Sequence, residues 1–258
     1  NGPEIHFAWV GDLDGDGDYD YIIDRLEWGN RCYLEAYTND GTFLWDIDYG
    51  PNSANTDNIS PGSATIDVGH WDGVTVADLD GDGQAEVITK VAPGVRLGNG
   101  FVWGGSNNNQ QWIAVLDGET GGWRADARIP DDYISVGPVA CQLGVGNGNE
   151  IFLHAKNRNS NGSFNAIDAC YTFSSSNLSL KWKETGGFPQ GHQIRVVDVN
   201  EDGVDDLAHI GFVRDGNNGS MLYSLNNIIH GDRFQIGKFD PDRPGLQGYG
   251  VQQNSPNN

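Results

Sequence analysis

A nine-residue acidic pattern recurs along the chain and limits what it can become. It stands as Asp12-Leu-Asp14-Gly-Asp16-Gly-Asp18-Tyr-Asp20, returns as Asp78-Leu-Asp80-Gly-Asp82-Gly-Gln84-Ala-Glu86, and again as Asp198-Val-Asn200-Glu-Asp202-Gly-Val204-Asp-Asp206. Oxygen ligands at positions one, three and five, a backbone carbonyl at seven (Asp18, Gln84, Val204) and a carboxylate at nine suit one hard cation, and calcium takes such oxygens. Gly17, Gly83 and Gly203 at position six permit the reversal that brings position nine back to the ion. A helix-loop-helix calcium hand is excluded, because it needs Glu at position twelve, where this chain has Ile23, Thr89 and His209. The flanks are rich in β-formers at residues 7–10 and 21–23, 74–76 and 87–89, and 194–197 and from 207 on. Each loop is therefore predicted to join two strands of a hairpin.

Between the loops runs a second unit, a strand, a polar turn and a strand carrying Trp, at residues 33–45, 112–123 and 170–182, with a fourth copy at 215–225. Trp45, Trp123 and Trp182 take one place in this unit and are expected to pack repeat against repeat. A loop hairpin plus a Trp hairpin gives the strands of one propeller blade. The expected fold is all-β, a β-propeller of about four blades beginning near residues 6, 72, 136 and 192, with a fifth opening near residue 234. Residues 1–258 are read as one propeller domain or part of one, the alternative being a β-sandwich with calcium loops. A weaker loop lies at residues 238–247, where Lys238 and Gln247 replace the end acids. Residues 139–153 carry the same unit with its ligands worn away, expected to be a structural turn.

Charge narrows the partners. The chain has 36 acidic against 15 basic side chains, a formal net charge of -21, which opposes nucleic acid and anionic membrane surfaces and favours cations. No apolar run reaches the length of a membrane span, and the first residues form no signal peptide. The chain reads as a mature soluble segment, and an extracellular location is expected because millimolar calcium there would fill weak carboxylate sites. Sequons at Asn58, Asn161, Asn177 and Asn218 fit a secreted glycoprotein. Cys32, Cys141 and Cys170 allow one disulfide, taken as Cys141 with Cys170. No Ser-His-Asp, CxxC, P-loop or dinucleotide motif is present.

Taken in order, Gly11-Asp-Leu-Asp-Gly-Asp-Gly, Asp40-Gly-Thr-Phe-Leu-Trp, Gly69-His-Trp-Asp-Gly-Val-Thr-Val, His192-Gln-Ile-Arg-Val-Val-Asp-Val and His230-Gly-Asp-Arg-Phe-Gln-Ile-Gly-Lys-Phe-Asp-Pro-Asp-Arg-Pro-Gly-Leu resemble the family 11 polysaccharide lyases, the rhamnogalacturonan lyases. The acid loops are of the FG-GAP type, which integrin-type propellers share; the His-Gly-Asp stretch is the more specific match. The resemblance implies an eight-bladed, calcium-rich propeller that cleaves the galacturonate-rhamnose backbone of pectin, an acidic plant polysaccharide, by β-elimination. It makes His192, His230 and Asp232 candidate ligands of a further calcium, with hydrogen-bonded structural histidines as the alternative; His70 leans structural. The family's catalytic basic and aromatic residues fall in later blades, so the chain resembles the N-terminal half of such an enzyme. It also has Asp24-Arg-Leu where the family tends to Lys-Trp-Asp.

Lys90 and Arg195 are the cations expected to face the groove, Arg195 as a substrate contact and Lys90 as the weak candidate for the base, with ordinary surface placement as the alternative for each. Trp71 and Trp103, outside the repeat's Trp position, are the candidate sugar platforms. The competing reading is a non-catalytic, calcium-stabilised module for glycan binding, adhesion or assembly, including self-assembly through open sheet faces.

Overall fold

The structure is a computed structural model, and it describes residues 4–27, 31–51, 53, 73–104, 111–130, 140–158, 164–185, 190–228 and 230–252. Trp71, His70, Asn58 and Asn161 lie outside them. Among the described residues there is no helix, and so none long and apolar enough to cross a membrane.

Strands β1 (Glu4–Gly11), β2 (Asp20–Glu27), β3 (Arg31–Tyr37) and β4 (Phe43–Pro51) form the first sheet, each antiparallel to the next. The second repeats this order with β5 (Val74–Ala77), β6 (Glu86–Val91), β7 (Trp112–Leu116) and β8 (Trp123–Arg128). The third is built from β9 (Ala140–Gly146), β10 (Glu150–Arg158), β11 (Phe164–Ser174) and β12 (Asn177–Thr185). After the short β13 (Gln190–Gly191), β14 (Ile194–Val197), β15 (Asp206–His209), β16 (Phe212–Arg214) and β17 (Met221–Ser224) make the fourth. Then β18 (His230–Gly237) pairs antiparallel with β19 (Gln247–Gln252) and parallel with β13, a crossover that the sequence did not predict. The four sheets start within four residues of the expected places.

The first strands of successive sheets touch in series, β1 with β5, β5 with β9 and β9 with β14. The apolar core lies between the sheets. Leu34, Trp45 and Ile47 of the first meet Val87 and Leu116 of the second; Ile88 and Val115 of the second share a cluster with Leu153 and Tyr171 of the third; Phe152 and Trp182 of the third meet Leu207 and Phe212 of the fourth. A second strand covered on both faces has no polar side to show, which is why β6 is buried at every position.

Two indoles lock neighbouring sheets. The Trp45 Nε1 donates to the Gly118 carbonyl at 2.7 Å, and the Trp182 Nε1 to the Gly216 carbonyl at 2.8 Å. Both glycines are pressed against an acid loop: a Cβ on Gly118 would come within 2.1 Å of the Ala85 carbonyl oxygen, and one on Gly216 within 1.8 Å of that of Asp205. Trp123 is not the third member of this set. Bulges place Ala36 opposite Trp45 and Cys170 opposite Trp182, but Val115 opposite Ala125, so Ala125 holds the equivalent position. Trp123 instead takes the register position held by Phe43 and Leu180 in the other sheets, opposite Leu116, and is 48% exposed.

The expected Cys141–Cys170 disulfide is not formed, and all three cysteines are free and buried. Cys141 pairs across with Ala155 and Cys170 with Phe152, on opposite sides of β10. Two strand spacings separate their backbones by about 9–10 Å, beyond the reach of a disulfide. Burial pushes both thiols up to about 12, so they behave as small apolar side chains.

Candidate metal centre

The first acid loop folds around its own first residue. Asp12 accepts the amides of Gly15 at 2.7 Å and Gly17 at 2.9 Å, Asp16 accepts that of Asp18 at 2.8 Å, and Asp20 accepts that of Leu13 at 2.8 Å. The second loop repeats the arrangement: Asp78 takes Gly81 and Gly83, Asp82 takes Gln84, and Glu86 takes Leu79. In the third, Asp198 takes Asp202 and Gly203, Asp202 takes Val204, and Asp206 takes Val199. Gly17, Gly83 and Gly203 have φ of 92°, 95° and 88°, the left-handed turn that the pattern requires at position six.

These folds gather carboxylates. Asp12, Asp14 and Asp20 each offer an oxygen within 4.8 Å of the others, and so do Asp78, Asp80 and Glu86. The donors are oxygen alone, which fits a hard divalent cation and disfavours zinc or copper. In the third loop Asn200 stands at position three, and its side-chain nitrogen donates to Asp202 at 3.2 Å, so fewer charges face one another there.

The loops differ at position nine. Asp20 gives its second oxygen to the Asn39 amide at 2.9 Å, and Asp206 gives its own to the Gly216 amide at 2.9 Å. Glu86 instead contacts the Arg124 guanidinium, which also reaches Asp80 at 2.6 Å and lies 5.5 Å from the Phe173 ring centre. Burial pushes the Glu86 carboxyl up to about 7, against the Leu79 amide and Arg124. Burial also raises Asp206, against the amides of Gly216 and Val199. In the weaker copy at residues 238–247, the Lys238 ammonium donates to the carbonyls of Arg243 and Gly245, while Gln247 accepts the Asp240 amide at 2.9 Å. A side-chain cation therefore occupies that turn.

The loops are also tied in pairs. The Ala85 amide donates to the Asp12 carbonyl at 2.6 Å and Gln84 to the Asp14 carbonyl at 3.0 Å. The worn loop of the third sheet serves the fourth in the same way: Asn147 accepts the Asp205 amide at 2.7 Å, and its own amide reaches the Asp205 carboxylate at 2.9 Å. This is the structural turn the sequence suggested.

His192 and His230 come together, with Nε2 atoms 3.2 Å apart; Asp232 lies on β18, and its side chain is outside the described residues. Arg195 bonds the Ile194 carbonyl at 2.7 Å and Gln193 at 2.9 Å and lies against the Phe234 ring. Lys90, expected to face the groove, is fully buried on β6. Trp103 is buried at the base of an aromatic cleft.

Sequence reasoning missed a buried polar chain. His154 Nδ1 lies 2.6 Å from Asp168, which accepts Arg214 Nε at 2.6 Å on its other oxygen. His209 stands beside His154, accepting the Gly191 amide at 3.3 Å, while Lys156 and Gln142 donate to the Gly191 carbonyl at 2.9 and 2.8 Å. Burial holds His209 well below its ordinary value, so it is neutral and fastens β13, which ends one residue before His192. The one local signal was His154 and Lys156, which follow the apolar run Ile151-Phe152-Leu153 on β10.

Successive four-stranded antiparallel sheets, three of them bearing an acid loop between their first two strands, define an all-β repeat protein with convergent carboxylates on equivalent hairpins. The chain belongs to the rhamnogalacturonan lyase family 11, whose C-terminal domain it matches over residues 4–120 and 161–258. It is 29% identical over 289 aligned residues to the rhamnogalacturonan exolyase YesX of Bacillus subtilis, covering 96% of this chain and 44% of that protein. The endolyase YesW of the same organism is 29% identical over 287, covering 95% and 43%. Among solved structures, the Bacillus licheniformis family 11 rhamnogalacturonan lyase superposes with a TM-score of 0.79 at 25% identity, covering 98% of this chain and 47% of that one. The YesX crystal structure gives 0.78 at 26%, covering 98% and 46%. The chain thus spans less than half the length of the relatives it matches.

Proposed function

We propose that this chain is the calcium-holding part of a secreted rhamnogalacturonan lyase that cleaves pectin by β-elimination, its sheets being blades of a propeller. The observation that carries the reading is the recurrence of one oxygen-lined loop at equivalent hairpins in a chain of this family. Contact of the first strands in series supports the propeller, since blades meet along their inner strands. Calcium in the loops would neutralise carboxylates that otherwise repel one another, and a calcium facing substrate would acidify the proton beside a uronate carboxylate. The residues that do the holding are Asp12, Asp14, Asp16 and Asp20, then Asp78, Asp80, Asp82 and Glu86, then Asp198, Asn200, Asp202 and Asp206, with the carbonyls of Asp18, Gln84 and Val204. His192, His230 and Asp232 are the proposed ligands nearest to substrate.

The base is not assigned to Lys90, because its burial removes it from substrate. That burial favours the second reading, in which the chain binds or positions glycan without itself supplying the proton acceptor. The deciding measurement is absorbance of unsaturated sugar products when the full-length protein meets rhamnogalacturonan. Release that stops with chelator supports the lyase; binding without release supports the second reading.

A further inference from the structure

We propose that the aromatic cleft on the outer edge of the second sheet is a saccharide-binding site selective for neutral pyranoside units, separate from the acid loops. The cleft has a volume of about 520 Å³ and is lined by Asn99, Phe101, Trp103, Trp112, Trp123 and Asp126, within the usual range for a small-ligand site. Its rings form a connected set. Trp103 lies 5.9 Å from Trp112 and 6.2 Å from Phe101, centre to centre. Trp103 is 8% exposed at the base, whereas Phe101 is 51% and Trp123 48% exposed at the mouth.

Packing does not account for Trp123. The equivalent of the interlocking indoles Trp45 and Trp182 is Ala125, so Trp123 fastens no neighbouring sheet in their manner. Its ring is held in place from below, because Nε1 donates to the Asp126 carboxylate at 3.0 Å. A large, half-exposed, oriented aromatic face is what stacks on the C–H face of a pyranose, and an indole fixed beforehand loses little entropy on binding. Asn99, whose side-chain oxygen caps the Phe101 amide at 3.0 Å, and Asp126 add hydrogen-bonding groups for sugar hydroxyls.

Asp126 also sets the selectivity. A carboxylate in the wall accepts from hydroxyl donors but repels a second carboxylate, in a chain already carrying a net charge of -21. The cleft would thus take a galactose-type ring with CH2OH at C6 and reject the same ring with a carboxylate there. The site would anchor neutral parts of a branched polysaccharide while the acid loops serve elsewhere. It shares with the proposed function the premise of a glycan partner, but it requires no cleavage.

The test is isothermal titration of the chain with a neutral galacto-oligosaccharide and with the galacturonate oligosaccharide of equal length. Binding of the neutral probe is expected, weakened at least tenfold in Trp123→Ala and Phe101→Ala, with far weaker binding of the galacturonate probe. Asp126→Asn is expected to narrow the gap between the two probes. Thermal melting of each variant checks its fold, and Trp123→Phe, which keeps a ring, should retain partial binding. No binding of the neutral probe, equal binding by Trp123→Ala, or preference for galacturonate overturns the proposal. Loss of lyase activity alone would overturn only the proposed function, because the titration needs no turnover.

Discussion

In the first acid loop Asp20 divides its oxygens between the amides of Leu13 and Asn39, whereas in the second the longer Glu86 takes the Leu79 amide and turns its other oxygen to Arg124. The two share aspartates at positions one, three and five, the same capped amides and a direct bond, from the Ala85 amide to the Asp12 carbonyl. What differs is the source of positive charge. Among the described residues no side-chain cation pairs with the first loop's acids, while Arg124 pairs with two of the second loop's converging acids. A permanent guanidinium offsets part of the repulsion that calcium is proposed to relieve, and it competes for the same oxygens. Lys238 carries the substitution further, donating to carbonyls of its own turn. One hairpin design thus spans acids without a side-chain cation, acids shared with one, and a turn filled by one.

The largest effect that can break this comparison is removal of the ion. A ligand present at a hundred times its dissociation constant adds about 2.7 kcal/mol per site, or about 5–10 °C in melting temperature for a domain of this size. Chelation is expected to cost at least that much per filled loop, and an unchanged calorimetric transition would refute structural calcium. Asp12→Ala and Asp78→Ala each uncap two amides, a loss of about 1–3 kcal/mol in chelator. Titrating calcium back should show the greater deficit in Asp12→Ala, because the second loop keeps Arg124. Equal deficits would make the loops energetically alike.

A smaller effect isolates the guanidinium. Arg124→Ala is expected to tighten calcium at the second loop by about tenfold, corresponding to about 1.4 kcal/mol, and to leave the first loop unchanged. The partial exposure of Arg124 and Asp80 keeps this figure modest. In chelator the same variant should melt lower, since Asp80 and Glu86 then face each other without a counterion. Terbium luminescence read against native protein resolves the two classes of site, and weaker binding after the substitution would reverse the assigned role.

How far the sequence reached follows from distance along the chain. The loops were legible because every proposed ligand and its turn glycine fall within nine residues, and the flanking strands announce hairpins. Arg124 was invisible because it arrives from β8, 38 residues beyond Glu86. Trp123 misled for a different reason: spacing counts residues, while bulges decide which of them oppose one another, and a shift of two placed Ala125 where an indole was expected. Cys141 and Cys170 share small size and burial, but the intervening β10 could not be read from their spacing. Lys90 was assigned to a groove from its place in the motif, yet β6 is covered on both faces. Local chemistry was readable; contacts made across sheets were not.

The last test is one of pH, and it probes Glu86 without touching Arg124. Burial raises the Glu86 carboxyl from 4.5 to about 7 in the folded chain, so between those values the native state binds a proton that the unfolded state has released. Stability of the calcium-free protein is then fully present below about 4.5 and declines as pH rises through about 7. Calcium has the opposite requirement, because the ion needs the ionised carboxylate, so its affinity at the second loop should rise over the same interval. Glu86→Gln keeps an oxygen for the Leu79 amide and cannot titrate; melting in chelator should lose this part of its pH dependence. If the native and Glu86→Gln proteins trace parallel curves from pH 4.5 to 7, the carboxyl is ionised throughout by Arg124, and the guanidinium is a stronger counterion than its burial suggests.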